Sequence, residues 1–216
     1  MSNDQIDEYE QGERVRKWLR DNGGSVLGGI AIGLAAIVGF QAWQSRQDGQ
    51  KLEAAKQFES FLTAQESGEA EQAAGLAASL STNFADTPYP ALAALRRSAA
   101  LVNEDKTEDA LKTLEAALPK TDDPTLRQLV LLRAARAELI LGRHDAALAR
   151  LDGVDLPAYA ALREELRGDA FAAQGKRDDA RAAYQQALTA TDVASPTRVI
   201  LELKLADAGG STTPEA

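Results

Sequence analysis

The chain has 216 residues, of which 44% are hydrophobic, enough to bury one sizeable core. Most of the apolar residues are Ala and Leu, which favour helices, and only 5% of the chain is aromatic, so an all-α fold is expected. The absence of cysteine excludes disulfides, thiolate metal sites and cysteine nucleophiles, and the net charge of −9 argues against non-specific binding to nucleic acid.

The first distinctive stretch covers residues 22–45, which carry no charged side chain and are bounded by Asp21 and Arg46. As a helix, a stretch of this length rises about 36 Å, more than the hydrocarbon core of a bilayer, which is about 30 Å thick. Trp18 and Trp43 lie near its two ends, where amphipathic rings favour the headgroup region. These features predict a single transmembrane helix over residues 22–45.

A cleaved signal peptide and a buried core helix are the alternatives for this stretch. A signal peptide begins with a short basic region, whereas about twenty mostly polar residues, several of them acidic, precede this one. The following sequence, FQAWQSR, lacks the small residues that a signal peptidase requires. The core helix of a small soluble domain rarely needs so long an uncharged run. An uncleaved anchor is therefore the favoured interpretation.

Basic residues are more frequent before the predicted span than after it. Four of them lie between residues 14 and 20, against Arg46 and Lys51 at a comparable distance on the other side. Because basic flanks are retained in the cytoplasm, residues 1–21 are predicted to form a cytosolic segment and the chain from residue 46 onward to lie outside the cytoplasm.

Glycines within the span are four residues apart in two pairs, Gly24 with Gly28 and Gly29 with Gly33. Such spacing lets a second helix approach closely, so these four residues are predicted to pack against a partner in the membrane. Glycine is also common in membrane spans, and the spacing can arise without a partner.

Beyond the span, the chain is predicted to form successive helices with short breaks, the first pair separated near Ser67 and Gly68. Three later segments share a pattern, and their central alanines, Ala110, Ala147 and Ala180, are 37 and 33 residues apart. This period is typical of helix–turn–helix repeats of about 34 residues. The predicted fold is an α-solenoid of helical hairpins.

The pattern resembles the tetratricopeptide repeat, which places small residues where two helices cross and a larger residue in the next layer. The third segment matches it best, with Gly168, Phe171, Ala180, Tyr184 and Ala187. The second matches in part, since Leu151 and Val154 stand where the motif prefers an aromatic residue and an alanine. The alternative is an alanine-rich hairpin array without repeat ancestry, which would have the same fold.

The whole arrangement resembles the YfgM family, ancillary subunits of the SecYEG protein-export channel. The tryptophan-flanked span and the segment LRGDAFAAQGKRDDARAAYQQAL carry most of the match. The resemblance implies an inner-membrane anchor with a periplasmic tetratricopeptide-like domain over residues 46–207. It also implies association with the channel and with a membrane-anchored periplasmic prolyl isomerase or chaperone. Residues 208–216 fall outside the pattern and are expected to be a disordered tail.

No residue set in the sequence predicts catalysis. His144 is the single histidine and is expected in an exposed turn, with no cysteine or second histidine to complete a metal site. The acidic pairs are expected at helix starts or turns, where they favour the helix dipole; they are Asp122–Asp123, Glu164–Glu165 and Asp178–Asp179. The glycines of the span do not form a phosphate-binding loop. Catalytic residues, metals and cofactors are therefore not expected.

The remaining expectation is a surface that binds protein. Repeat arrays bind through a face lined by one side of each first helix. The repeat register places on that face Leu95, Ala99, Val102, Leu132, Leu139, Glu165, Asp169 and Ala172, together with the favoured binding residues Arg96, Asn103, Arg133, Arg136 and Ile140. An apolar groove edged by arginine suits an extended or helical polypeptide. The alternative is that these residues only pack neighbouring helices.

The leading functional hypothesis is a non-catalytic partner of the export channel that scaffolds or chaperones emerging proteins. The competing hypothesis is a membrane-tethered regulator, which sequesters a cytosolic signalling protein through the segment before Trp18. Deleting residues 2–13 separates the two, because export partnership would survive the deletion and sequestration would not.

Overall fold

The computed structural model describes residues 4–210, with side chains described for residues 12–25 and 27–210. All of the regular structure in this part of the chain is helical, as the composition predicts. The chain divides into two compact units, residues 1–52 and residues 53–216. Helix α1 (Asp4–Glu66) begins in the first unit and ends in the second.

Within the first unit, α1 carries the predicted span. The helix is long and apolar enough to cross a membrane, and none of its most apolar window is buried. Ile32 is 73% exposed and Phe40 is 61% exposed, and the ring of Trp43 is 5.8 Å from that of Phe40. A soluble core helix would bury these side chains against other elements. Their exposure is what a lipid-facing helix requires, because lipid is the solvent for such a surface.

The second unit consists of the end of α1 and eight further helices among the described residues. They are α2 (Ala70–Asn83), α3 (Tyr89–Asn103), α4 (Thr107–Ala117), α5 (Pro124–Ile140), α6 (His144–Leu151), α7 (Ala160–Ala173), α8 (Arg177–Ala190) and α9 (Thr197–Asp207). Short 3₁₀ turns follow α4 and precede α7. The predicted α-solenoid of hairpins is therefore confirmed.

One turn geometry recurs along the second unit and marks its repeats. Gly68, Asp105, Gly142, Gly175 and Gly209 all have positive φ, and they are 37, 37, 33 and 34 residues apart. At each of them the next residue donates its N–H to a carbonyl five residues earlier, as from Lys106 to Leu101 at 2.8 Å. This bond satisfies a free carbonyl at the end of the preceding helix. Up to residue 210 the helices thus form four hairpins, and α9 occupies the position of the first helix of a fifth repeat.

The third predicted repeat, α7 and α8, is held together at its small residues. Gly168 faces the ring of Tyr184 so closely that a Cβ added there would overlap the ring. Ala180 is fully buried, and Tyr184 and Ala187 join it in a core cluster with Leu201 and Leu205 of α9. Ala208 is buried in the same cluster, beyond the expected domain boundary at residue 207. Gly209 and Gly210 of the predicted tail form the turn after α9, and residues 211–216 lie outside the described residues.

Candidate functional site

Two adjacent hollows form a continuous surface on the first helices of three hairpins. One, of about 380 Å³, lies between α1, α3 and α5 and is lined by Phe58, Leu62, Leu92, Leu95, Arg96, Ala99, Leu129 and Arg133. The other, of about 210 Å³, lies between α3 and α5 over α4 and is lined by Ser98, Ala99, Val102, Asn103, Leu114, Arg133, Arg136, Ala137 and Ile140. We call the two together the α3–α5 groove, since they share Ala99 and Arg133.

The groove has an apolar base. Leu114 and Ala137 are each 1% exposed, whereas Ile140 is 56% exposed. At the other end, Phe58 is half-buried and its ring lies 5.4 Å from that of Tyr89. An exposed isoleucine beside buried leucine and alanine offers apolar surface that a partner can cover. The favourable binding free energy is then proportional to the apolar area removed from water.

Arginines line the edges of the groove and are not neutralised by the protein. Arg96, Arg133 and Arg136 are exposed, and within the described residues they form no ion pair. Most arginines elsewhere in the domain are paired, such as Arg143 with Glu108 at 2.8 Å and Arg167 with Asp152 at 2.8 Å. No carboxylate lines either hollow. The groove is therefore a positively charged, partly apolar surface.

In the span, the predicted glycines leave their helix faces open. A Cβ added at Gly24, Gly28, Gly29 or Gly33 would meet nothing within 4 Å. Successive residues of an α-helix are rotated by about 100°, so the two pairs lie on different faces. The face of Gly24 and Gly28 continues with other small residues along the span, namely Ala31, Ala35, Gly39 and Ala42.

Comparison with known proteins identifies the family. The model of the tetratricopeptide repeat-like domain family matches residues 16–210. The chain belongs to this family. A relative from Escherichia coli (strain K12), named ancillary SecYEG translocon subunit, is 28% identical over 92% of this chain and 95% of its own length. Relatives of the same name from Haemophilus influenzae and Aggregatibacter actinomycetemcomitans are 25% and 29% identical, each over 84% of this chain and 89% of their own length.

These similarities confirm the resemblance to the YfgM family. They extend from the span through all the hairpins, because the family model begins at residue 16 and ends at the turn after α9. Together with the exposed apolar part of α1, they identify a membrane-anchored protein with a tetratricopeptide repeat-like domain.

The structure places all five favoured binding residues around the groove of this repeat domain. Asn103, Arg136 and Ile140 line the smaller hollow, Arg96 lines the larger one, and Arg133 lies between them. Five members of the wider set lie outside the groove, among them Leu139, which packs against the same core cluster as Leu132, and Ala172 of α7. Leu132 is 1% exposed and packs in the core beside α6, and the carboxylates of Glu165 and Asp169 accept hydrogen bonds from Lys204 of α9.

Sequence reasoning missed the contribution of the first hairpin to the groove. Phe58 and Leu62, which line the larger hollow, belong to the end of α1. Leu129 of α5 lines the same hollow and was also missed. The alanine pattern that reveals the later repeats is weak in α1. The glycine of the positive-φ turn at Gly68, 37 residues before Asp105, is the signal in the sequence that relates this hairpin to the others.

Two other expectations about polar residues need correction. Glu164 and Glu165 lie within α7 rather than at its start, and Glu164 is buried, paired with Arg163 at 2.8 Å. His144 is half-buried and begins α6 instead of lying in an exposed turn. Asp123 does cap a helix, because its carboxylate accepts the N–H of Leu126 at 2.8 Å.

Among the described residues, no three His, Asp or Glu side chains are close enough together to hold a metal ion.

Proposed function

We propose that this protein is a non-catalytic ancillary subunit of a Sec-type protein-export channel, and that its α3–α5 groove holds emerging polypeptides. The observation that carries the proposal is similarity along nearly the whole chain to relatives named for this role, the first covering 92% of it. An apolar groove edged by arginine supports the polypeptide-binding part, because repeat arrays bind peptides through such surfaces.

The span and the repeat domain have separate tasks in this proposal. The span anchors the protein and associates laterally with the channel through its small residues, where close helix approach gives van der Waals contact. The domain binds client segments and a membrane-anchored periplasmic prolyl isomerase or chaperone. The excess of basic residues before the span supports a cytoplasmic N-terminus and a periplasmic domain in the inner membrane.

A fusion experiment tests the orientation. Alkaline phosphatase joined after residue 60 is active only outside the cytoplasm, so we expect an active fusion. The same fusion without residues 22–45 should be inactive. The reverse pattern would place the domain in the cytoplasm and contradict a periplasmic role.

Site-specific cross-linking tests the binding role. A photoreactive phenylalanine analogue replaces Ile140 of the full-length protein in intact inner membranes, where Ile140 is 56% exposed in the groove. We expect cross-links to channel subunits or exported polypeptides, identified by mass spectrometry. The control position is Gln186, on the exposed outer face of α8. Equal products from both positions would contradict binding in the groove.

The competing role as a cytosolic tether depends on the N-terminal segment, and the side chains of residues 1–11 lie outside the described ones. Deleting residues 2–13 should leave the Ile140 cross-links unchanged if the protein is an export partner. Release of a cytosolic signalling protein from the membrane on deletion, with no Ile140 cross-link to channel subunits or exported polypeptides in the undeleted protein, would favour the tether instead.

A further inference from the structure

We infer that the α3–α5 groove selects polypeptide segments whose apolar side chains are flanked by carboxylates, as on one face of an acidic amphipathic helix. The inference rests on the proposed function, since it names the chemistry of the polypeptide that the groove holds. It depends on the charge distribution around the groove rather than on its shape alone.

The charge of the groove is opposite to that of the domain. Residues 47–216 contain 19 lysines and arginines against 27 aspartates and glutamates, a net charge of −8. Yet three arginines and no carboxylate line the two hollows. With acidic residues so frequent, a surface without them is a local departure that favours an anionic partner.

The groove arginines are also available for a partner. Arg96, Arg133 and Arg136 form no ion pair within residues 12–25 and 27–210, whereas six other arginines of the domain do. Three further arginines also lack an ion pair in this range but lie outside the groove: Arg127, which donates to the carbonyl of Leu118 at 2.7 Å, Arg97 and Arg177. A guanidinium that is not already paired can bind a carboxylate through two parallel hydrogen bonds.

The apolar base of the groove determines which uncharged side chains a bound segment must carry. Leu95, Val102 and Ile140 lie beside these arginines, so a bound segment must bring apolar side chains as well as carboxylates. A helix satisfies both demands, since residues at i, i+3, i+4 and i+7 form one apolar face and acidic residues can flank it.

An anionic lipid carries apolar chains and negative charge too, but the domain does not suit a membrane surface. Its net charge of −8 would be repelled by anionic headgroups. A short acidic segment presents few charges, close to the arginines, and avoids this repulsion because screening limits the reach of the other charges to about 8 Å at physiological salt.

Peptide binding to the full-length protein tests the inference. The protein is held in nanodiscs of zwitterionic phosphatidylcholine, and empty nanodiscs give the background. Three labelled 18-residue helices share the same leucine face and carry glutamate, glutamine or lysine beside it. By fluorescence anisotropy we expect the glutamate helix to bind about tenfold more tightly than the glutamine helix, and this difference to vanish near 1 M salt, where the Debye length is about 3 Å.

Two variants of equal charge locate the effect. Arg133→Gln with Arg136→Gln should remove most of the preference for glutamate. Lys120→Gln with Arg177→Gln removes two exposed cations outside the groove and should leave the preference unchanged.

The outcomes separate this inference from the proposed function. If the glutamine helix binds as tightly as the glutamate helix while Ile140 still cross-links to exported chains, the charge preference is wrong and the binding role stands. If phosphatidylglycerol vesicles displace the glutamate helix from the wild type, and bind the wild type but not the variant with Arg133→Gln and Arg136→Gln, the groove binds lipid and the inference is overturned. Equally tight binding of the glutamate helix to the wild type and to the variant with Arg133→Gln and Arg136→Gln overturns it as well.

Discussion

At the scale of single residues, the contact between Gly168 and Tyr184 fixes how α7 and α8 cross. The ring of Tyr184 occupies the space beside Gly168, and its hydroxyl donates to Asp169 at 2.9 Å. Because the hydroxyl is held by a hydrogen bond and Tyr184 is only 3% exposed, moving the ring aside to admit another group would disrupt the packing around it. The small residue that the repeat pattern requires is therefore a steric necessity here.

The first prediction concerns this contact. Gly168→Ala should lower the free energy of unfolding by about 1–3 kcal/mol, because overpacking outweighs the gain in helix propensity. The matched change Gly75→Ala lies within α2, where an added Cβ meets nothing within 4 Å, and should raise it by about 0.5–1 kcal/mol. Urea unfolding of the full-length protein in detergent, followed by circular dichroism, measures both. Equal effects would contradict the contact.

The second prediction concerns alkaline pH. Burial raises the pKa of Tyr184, and the nearby carboxylate of Asp169 raises it further. The folded protein therefore keeps this proton at a pH where the unfolded chain, with a pKa of about 10, has lost it. The stability that this proton provides is complete below pH 10 and is lost as the pH rises above it.

The melting temperature should accordingly fall above about pH 10, and Tyr184→Phe should reduce the fall while costing about 0.5–1.5 kcal/mol at pH 8. The fall should not vanish, because the pKa of Lys204 is also raised: burial lowers it, but hydrogen bonds to Asp169 and Glu165 outweigh that effect. An unchanged profile for Tyr184→Phe would show that its proton is not linked to folding.

At the scale of helices, Arg150 connects three consecutive elements. From α6 it pairs with Glu138 of α5, whose side chain is 4% exposed, and with Glu115 of α4 at 2.8 Å. The hydrogen bond with Glu138 raises the pKa of Arg150. A carboxylate so deeply buried depends on its partner, because an unpaired buried charge is costly.

The third prediction follows from this dependence. Arg150→Met should lower the free energy of unfolding by about 3 kcal/mol. Adding Glu138→Met should recover most of this loss, since a buried pair can be replaced by apolar groups of similar size. Arg181→Met, which breaks the exposed pair with Asp178, should cost less than about 0.5 kcal/mol. A double-mutant cycle by urea unfolding measures the coupling. If the double variant is no more stable than Arg150→Met, the buried pair is not the cause.

The helices and their period could be predicted because alanine and leucine spacing reports helix crossings directly. Ala110, Ala147 and Ala180 are all fully buried at such crossings. The groove arginines could be placed by the same register, but their lack of ion pairs could not, since pairing depends on distances between distant segments. The sequence predicts Glu164 at a helix start, whereas α7 begins at Ala160 and the buried carboxylate of Glu164 pairs with the neighbouring Arg163 and Arg167.

At the scale of the whole molecule, the small residues of the span distinguish two possible contact faces. The face of Gly24 and Gly28 extends over the length of the span through Ala31, Ala35, Gly39 and Ala42, whereas Gly29 and Gly33 lie on another side of the helix.

The fourth prediction compares these faces. Replacing Gly24 and Gly28 with leucine should keep the protein inserted but reduce co-purification with channel components at least threefold from mild detergent, because close packing is steep in distance. Replacing Gly29 and Gly33 with leucine is the matched control and should have a smaller effect. Equal recovery of partners by both variants and the wild type would assign recognition to the repeat domain.

The isolated position of α9 has a consequence for the lifetime of the protein. This helix packs on α8 through Leu201 and Leu205, and its Lys204 donates hydrogen bonds to Glu165 and Asp169 of α7. In a linear array each unit is stabilised by its neighbours, so α9 can open without disturbing α3 and α5. A protease that cuts the connection between α8 and α9 would therefore leave a shortened protein whose α3–α5 groove is intact. Loss of α9 alone would not abolish binding in the groove.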